Sequence, residues 1–136
     1  MSHSMILKAA AVIDFIFGVP LLLAPSALPA LYGASALQGT GIYNSMMLGA
    51  TLLGLSVINW GAAALTPSGA RFIVLGNLVG FGLSLGAALY RQFVNPAAPP
   101  AGWFNVALFL VFTVLFAWLW LHGRTAGSVT GGATAR

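Results

Sequence analysis

Cysteine is absent from this chain of 136 residues, and acidic residues are reduced to one, Asp14. The first absence excludes a disulfide framework, thiolate metal ligation and cysteine nucleophiles. The second excludes chemistry that needs a pair of carboxylates. Charged residues of both signs amount to 4% of the chain, against roughly 25% in soluble domains, so there is too little charge to cover a globular surface. The motifs Gly-x-Ser-x-Gly, the P-loop and His-Glu-x-x-His are also missing. The expectation is a protein that is not an enzyme, with no catalytic residues and no cofactor. The five basic residues are scattered, which makes no patch for a nucleic acid.

What remains is apolar, since 60% of the residues are hydrophobic. Four long apolar segments stand out, at about 5–24, 42–65, 72–90 and 103–121. Each has roughly the 20 residues that cross a hydrocarbon core of about 30 Å at 1.5 Å per residue. A segment exposed to lipid must satisfy its own backbone hydrogen bonds, so each is expected to be a helix. The fold class read from this pattern is all-α, an integral membrane four-helix bundle whose main partner is the lipid bilayer.

Punctuation supports the division. Pro25 closes the first span, Ser26 is placed to cap a new turn and Gly33 to stop it. A short interfacial helix is therefore expected after the first span. Thr66-Pro67-Ser68-Gly69 is a tight turn, and the stretch from Asn95 to Gly102 carries three prolines and forms a stiff loop. Residues 1–122 read as one four-span domain. The small, polar stretch 123–136 reads as a disordered cytoplasmic tail.

Orientation follows from the basic residues. With four spans, Lys8, Arg71, Arg124 and Arg136 share one side and Arg91 occupies the other. The bias places both termini in the cytoplasm. Tyr32, Tyr43, Tyr90 and Trp103 then mark the outer boundary, and Trp60, Phe72, Trp118 and Trp120 the inner one. Abundant Ala and Gly, with Arg preferred to Lys, suit a GC-rich bacterial genome and hence a bacterial inner membrane. A signal peptide cleaved after Ala34-Ser35-Ala36 is the rival for the N-terminus. Asp14 in the apolar region and two prolines before that site favour a retained span.

Asp14 is the position that invites a chemical question. An ionisable side chain within a span costs roughly 2.5–3.5 kcal/mol on the insertion scale, and such residues face a protein interior or a watery cavity and have partners. Asp14 lies six residues past Lys8, Asn77 six past Arg71, and Asn59 six before Leu65 on a helix of opposite direction. All three are thus expected about 9 Å inside the cytoplasmic boundary. Steps of three and four also place Asp14 with Gly18, Asn59 with Gly49, and Asn77 with Gly80 and Ser84 on narrow stripes of small and polar residues. Gly18, Gly49, Gly76, Gly80 and Ser84 are therefore expected to pack helices closely, with Asp14, Asn59 and Asn77 as an intramembrane polar cluster and a candidate proton or cation site. His3 and His122 with a deeper Asp make no convincing ligand set, so no metal site is expected.

The fourth span is bulky and aromatic, with Phe104, Phe109, Phe112, Phe116, Trp118 and Trp120. It, or the glycine-rich third span, is the expected surface for a membrane protein partner or a second copy of the chain.

The run from Leu21 to Gly33, Leu-Leu-Leu-Ala-Pro-Ser-Ala-Leu-Pro-Ala-Leu-Tyr-Gly, followed by Leu48-Gly49-Ala50-Thr51-Leu52-Leu53-Gly54-Leu55, resembles the small four-helix bacterial inner-membrane proteins of unknown function. That resemblance implies a fold and no activity. In layout alone, one acidic residue in the first of four helices is similar to the small multidrug resistance transporters, where a Glu binds protons and cationic substrates. Here the residue is Asp14, and Ala11 to Phe17 departs from that family's motif, so the activity does not carry over. Two functional expectations follow: an accessory or structural subunit of a membrane assembly without enzymatic activity, or a small proton-linked transporter using Asp14.

Overall fold

The structure is a computed structural model and describes residues 2–33, 37–94 and 98–122. The tail 123–136 and the Ala34-Ser35-Ala36 segment lie outside the described residues. Five helices follow in order: α1 (His3–Leu23), α2 (Ala27–Leu31), α3 (Thr40–Ala62), α4 (Arg71–Val94) and α5 (Gly102–His122). Among the described residues there is no strand. The helices α1, α3, α4 and α5 are long and apolar enough to cross a membrane, which fits a multi-pass membrane protein. Their surfaces agree, with side chains such as Phe72 (84% exposed) and Leu83 (72% exposed) turned outward. A water-soluble monomer rarely presents that much contiguous apolar surface.

Local chemistry sets the helix ends. Ser2 caps α1 by accepting a hydrogen bond from the Met5 amide at 3.3 Å. Pro20 lies inside α1 without ending it, although it removes one amide from the ladder. The short α2 occupies the expected place, but Ser26 is already in a helical conformation (φ −92°, ψ −10°) and its hydroxyl makes no cap bond. Gly33 (φ +74°) terminates that segment in the left-handed region, where a Cβ is disfavoured. The helix α4 extends four residues beyond the expected end at Tyr90, to Val94. Arg91 and Gln92 are good helix formers, and a helix is free to continue past the apolar boundary.

The four long helices are arranged as two antiparallel pairs, α1 with α3 and α4 with α5. The α1–α3 seam is made of small residues. Ala10, Asp14 and Gly18 on one helix and Ser45, Gly49, Ser56, Asn59 and Ala62 on the other are all buried. Ser56 Oγ donates to the Ala11 carbonyl at 2.8 Å, and Ser45 Oγ to the Pro25 carbonyl at 3.0 Å. The α4–α5 seam is built oppositely, from rings. Phe81 stacks on Phe112 (centroids 4.9 Å apart) and on Phe116 (5.7 Å), and Phe93 meets Trp103 edge-on at 5.5 Å. The aromatic α5 thus spends Phe109, Phe112 and Phe116 on α4, while Phe104 and Trp118 are exposed.

Among the described residues the long helices of the two pairs pack against each other at one end. Ile6, Leu7 and Ala10 of α1, Ala62 and Ala63 at the end of α3, Ala70 and Val74 around the start of α4, and Phe112, Phe116 and Leu119 of α5 form one apolar core there. Lys8 and Arg71 flank this clamped end. Lys8 lies over the Trp60 ring at 5.8 Å and Arg71 over Trp120 at 4.5 Å, which holds both cations by the ring quadrupole. Beyond the clamp the two pairs diverge, leaving a cavity between them.

Candidate functional site

Asp14, Asn59 and Asn77 come from three helices and meet where the pairs begin to separate. Asn59 Nδ2 donates to Asp14 Oδ2 at 3.0 Å and to Asn77 Oδ1 at 3.1 Å. Asn77 Nδ2 donates to Asn59 Oδ1 at 2.7 Å and to the Ile73 carbonyl at 2.9 Å. Asn59 is 0% exposed and Asp14 5%. The central amide of Asn59 therefore joins the α1–α3 pair to α4 through both its donor and its acceptor ends.

The carboxyl of Asp14 is not closed off. Among the described residues Oδ2 takes the Asn59 hydrogen bond while Oδ1 accepts none, and no fully buried side-chain N or O atom lacks a partner. Oδ1 is therefore reached from the cavity that Asp14 lines. Among the described residues no basic side chain is paired with it, and the two cations at the clamped end rest on tryptophan rings.

The cavity has a volume of about 790 Å³, within the roughly 300–1,000 Å³ of small-molecule sites. Asp14 and Asn77 form its floor beside the clamp, and Tyr32, Arg91, Gln92 and Asn105 its far rim. The walls between are apolar, with Phe17, Leu21, Leu52, Phe81 and Phe109 among them. The two flanks differ. On the α1–α5 side α2 intervenes, and Tyr32 Oη donates to Asn105 Oδ1 at 3.0 Å. On the α3–α4 side the helices are joined near their shared turn and by the Asn59 and Asn77 amides, and among the described residues no helix covers the gap beyond. Removing the bridging hydroxyl with Tyr32→Phe is expected to loosen α2. The check is faster amide hydrogen exchange at residues 27–33 with the exchange of α1 and α3 unchanged.

The glycines and Ser84, all expected to pack helices, divide. A Cβ on Gly18 would meet Leu53 Cγ at 3.0 Å and the Gly49 carbonyl oxygen at 3.1 Å, and one on Gly49 would lie 2.5 Å from the Leu22 nitrogen. These two glycines let the α1 and α3 backbones touch. Gly76, Gly80 and Ser84 do not face a neighbouring helix in this way. They line the cavity, and a Cβ on either glycine would meet nothing within 4 Å. Phe81 and its ring partners set the α4–α5 contact and leave the small stripe on the flank of α4 that borders the gap.

His3 and His122 are each bonded to a backbone carbonyl, of Leu65 and Trp118 respectively, both at 2.9 Å. Sequence reasoning did not find the rim of Tyr32, Arg91, Gln92 and Asn105. The available signal was that Tyr32, Arg91 and Asn105 all fall near segment ends that the sequence assigns to one side. No protein-family model, curated protein or solved structure matches the chain.

Proposed function

We propose that the protein is a small multi-pass carrier of a bacterial inner membrane, with both termini in the cytoplasm, and that it couples solute movement to protons through Asp14. One observation carries this reading: a carboxyl oxygen without a hydrogen-bond donor stands at the floor of a cavity that is blocked at one end and open beyond it. Intramembrane carboxyls are costly and mark proton and ion pathways. With no second acid in the chain, a proton and a cationic solute have to use Asp14 in turn, and such exclusion links their movements. Orientation by basic residues puts the clamp on the cytoplasmic side, so the cavity faces outward in this conformation. No covalent bond is made or broken, in keeping with a chain lacking enzymatic motifs.

The test uses the full chain in proteoliposomes with a pH gradient across the membrane and a trapped pH dye. Cationic, anionic and neutral apolar solutes are added outside in turn. At least one cationic solute is expected to speed collapse of the gradient about tenfold over empty liposomes, and Asp14→Asn, folded by circular dichroism, to return the rate to the empty-liposome value. Undiminished flux in Asp14→Asn, or no solute with an effect, rules the carrier out.

A second reading, an accessory or structural subunit of a membrane assembly, is favoured by the outer faces of α4 and α5. A Cβ on Gly82 or Gly86 would meet nothing within 4 Å, and Phe104 and Trp118 are exposed. Purification in mild detergent is then expected to recover a companion protein or a second copy in fixed ratio. A lone monodisperse chain would count decisively against it.

A further inference from the structure

We propose that the cavity binds a singly charged amphipathic amine that enters from the lipid phase between α3 and α4, with its ammonium on Asp14 Oδ1 and its apolar body between the two helix pairs. This rests on the carrier reading for its transport role, while binding is a separate claim with a separate measurement.

Each part of the ligand answers to a feature of the site. The ammonium is called for because Oδ1, on a side chain only 5% exposed, is among the described residues an acceptor without a donor and without a basic partner. A protonated amine supplies both the opposite charge and an N–H for a charge-assisted hydrogen bond. A quaternary ammonium supplies charge alone and is expected to bind less tightly. A single charge is called for because Asp14 is the only acid of the chain and the one cation among the described lining residues, Arg91, sits at the rim. A second ammonium would be left without a counter-ion among apolar walls or beside that guanidinium, and an anionic head would be repelled from the floor.

The body of the ligand follows from the walls. Phe17, Phe81 and Phe109 offer ring faces and Leu21 and Leu52 aliphatic contact, in a space of about 790 Å³. The gap on the α3–α4 side is bordered by Leu48, Thr51 and Leu52 on one helix and by Gly80, Ser84 and Ala88 on the other, residues that are apolar or small with two hydroxyls among them. In a bilayer that flank faces acyl chains, where an amphiphile already resides, so entry requires no passage of the apolar body through water.

The experiment uses the full chain in nanodiscs of zwitterionic lipid, with empty nanodiscs as reference and equilibrium dialysis as readout. The probes are naphthylethylamine, its trimethylammonium analogue, naphthylethanol and naphthylpropionate. Saturable binding is expected for the amine, about tenfold weaker binding for the trimethylammonium compound, and no saturable binding for the alcohol or the carboxylate. Asp14→Asn is expected to weaken the amine at least tenfold. Gly80→Leu fills the cavity wall without touching Asp14, at a position with open space around it, and is expected to weaken the amine while thermal stability is unchanged. Equal binding of amine and alcohol, or undiminished amine binding in both variants, overturns the proposal. Saturable, Asp14-dependent binding without proton-coupled flux upholds the site and removes the carrier. Flux of some other solute with no amine binding removes the amine and keeps the carrier.

Discussion

Gly49→Leu yields little folded protein, whereas Gly80→Leu, the same change on another small-residue stripe, leaves stability within about 0.5 kcal/mol of the parent. The contrast follows from what each new side chain meets. At Gly49 a Cβ alone would lie 2.5 Å from the Leu22 nitrogen, 2.8 Å from the Gly18 carbonyl oxygen and 2.9 Å from the Leu21 carbonyl carbon. All three are backbone atoms, and none can rotate away. Even Gly49→Ala has to push α1 from α3, at a cost of about 1–3 kcal/mol for overpacking, and Leu adds branches with nowhere to go. Moving the helices apart also stretches the Ser56 bond to the Ala11 carbonyl and the Ser45 bond to the Pro25 carbonyl. Helix association in lipid depends on such close packing and interhelical bonds, because lipid is as apolar as the side chains. Thermal unfolding in detergent, followed by circular dichroism, checks both variants. A stable Gly49→Leu protein, or a Gly80→Leu protein as damaged as it, would show that the α1–α3 seam does not hold the fold.

Asn59→Leu is expected to destabilise the protein by about 1–3 kcal/mol, and Asp14→Leu combined with Asn59→Leu to recover the part of the loss that belongs to the carboxyl. Among the described residues Asn59 supplies the only hydrogen bond to the Asp14 carboxyl and two of the three made by the Asn77 amide. Leu keeps much of the volume but strips both neighbours. A buried polar group left without its partner carries its full desolvation cost, whereas replacing both partners with apolar groups can be nearly neutral. Interhelical hydrogen bonds in membrane proteins average only about 0.6 kcal/mol, so the excess above that figure measures the stranded carboxyl together with the stripped Asn77 amide. A double-mutant cycle in unfolding free energy reads it directly. If the double variant equals the sum of the two single ones, Asp14 and Asn59 are not coupled, and the polar floor contributes nothing as a unit.

The sequence made the Asp14 cluster readable and left the cavity above it hidden, for the same physical reason. Depth along a span follows from counting residues at fixed rise, and facing follows from steps of three and four, so Asp14, Asn59 and Asn77 could be placed near one another. Small residues are ambiguous, because a glycine permits close approach without requiring it. Gly18 and Gly49 lie in a seam and Gly76 and Gly80 on a cavity wall, yet the four look alike as spacing. The deciding residue is Phe81, whose ring packs against both Phe112 and Phe116 and fixes α5 on one side of α4. Pair energies of that kind depend on ring positions from two helices. They leave no period in either segment.

The clamp at one end gives the molecule the mechanics of a pair of tongs. Beyond the apolar core of Ile6, Leu7, Val74, Phe116 and Leu119 the helices are arms roughly 20–30 Å long, so a turn of about 5° there displaces the far tips by roughly 2–3 Å and works against the Tyr32–Asn105 hydrogen bond that links them. Side chains at the pivot shift by much less, so tip separation is geared to small rearrangements among a few tightly packed methyl and phenyl groups. Bilayer thickness and lateral pressure act on the long arms with that leverage, which makes the lipid itself a means of setting how wide the tongs stand.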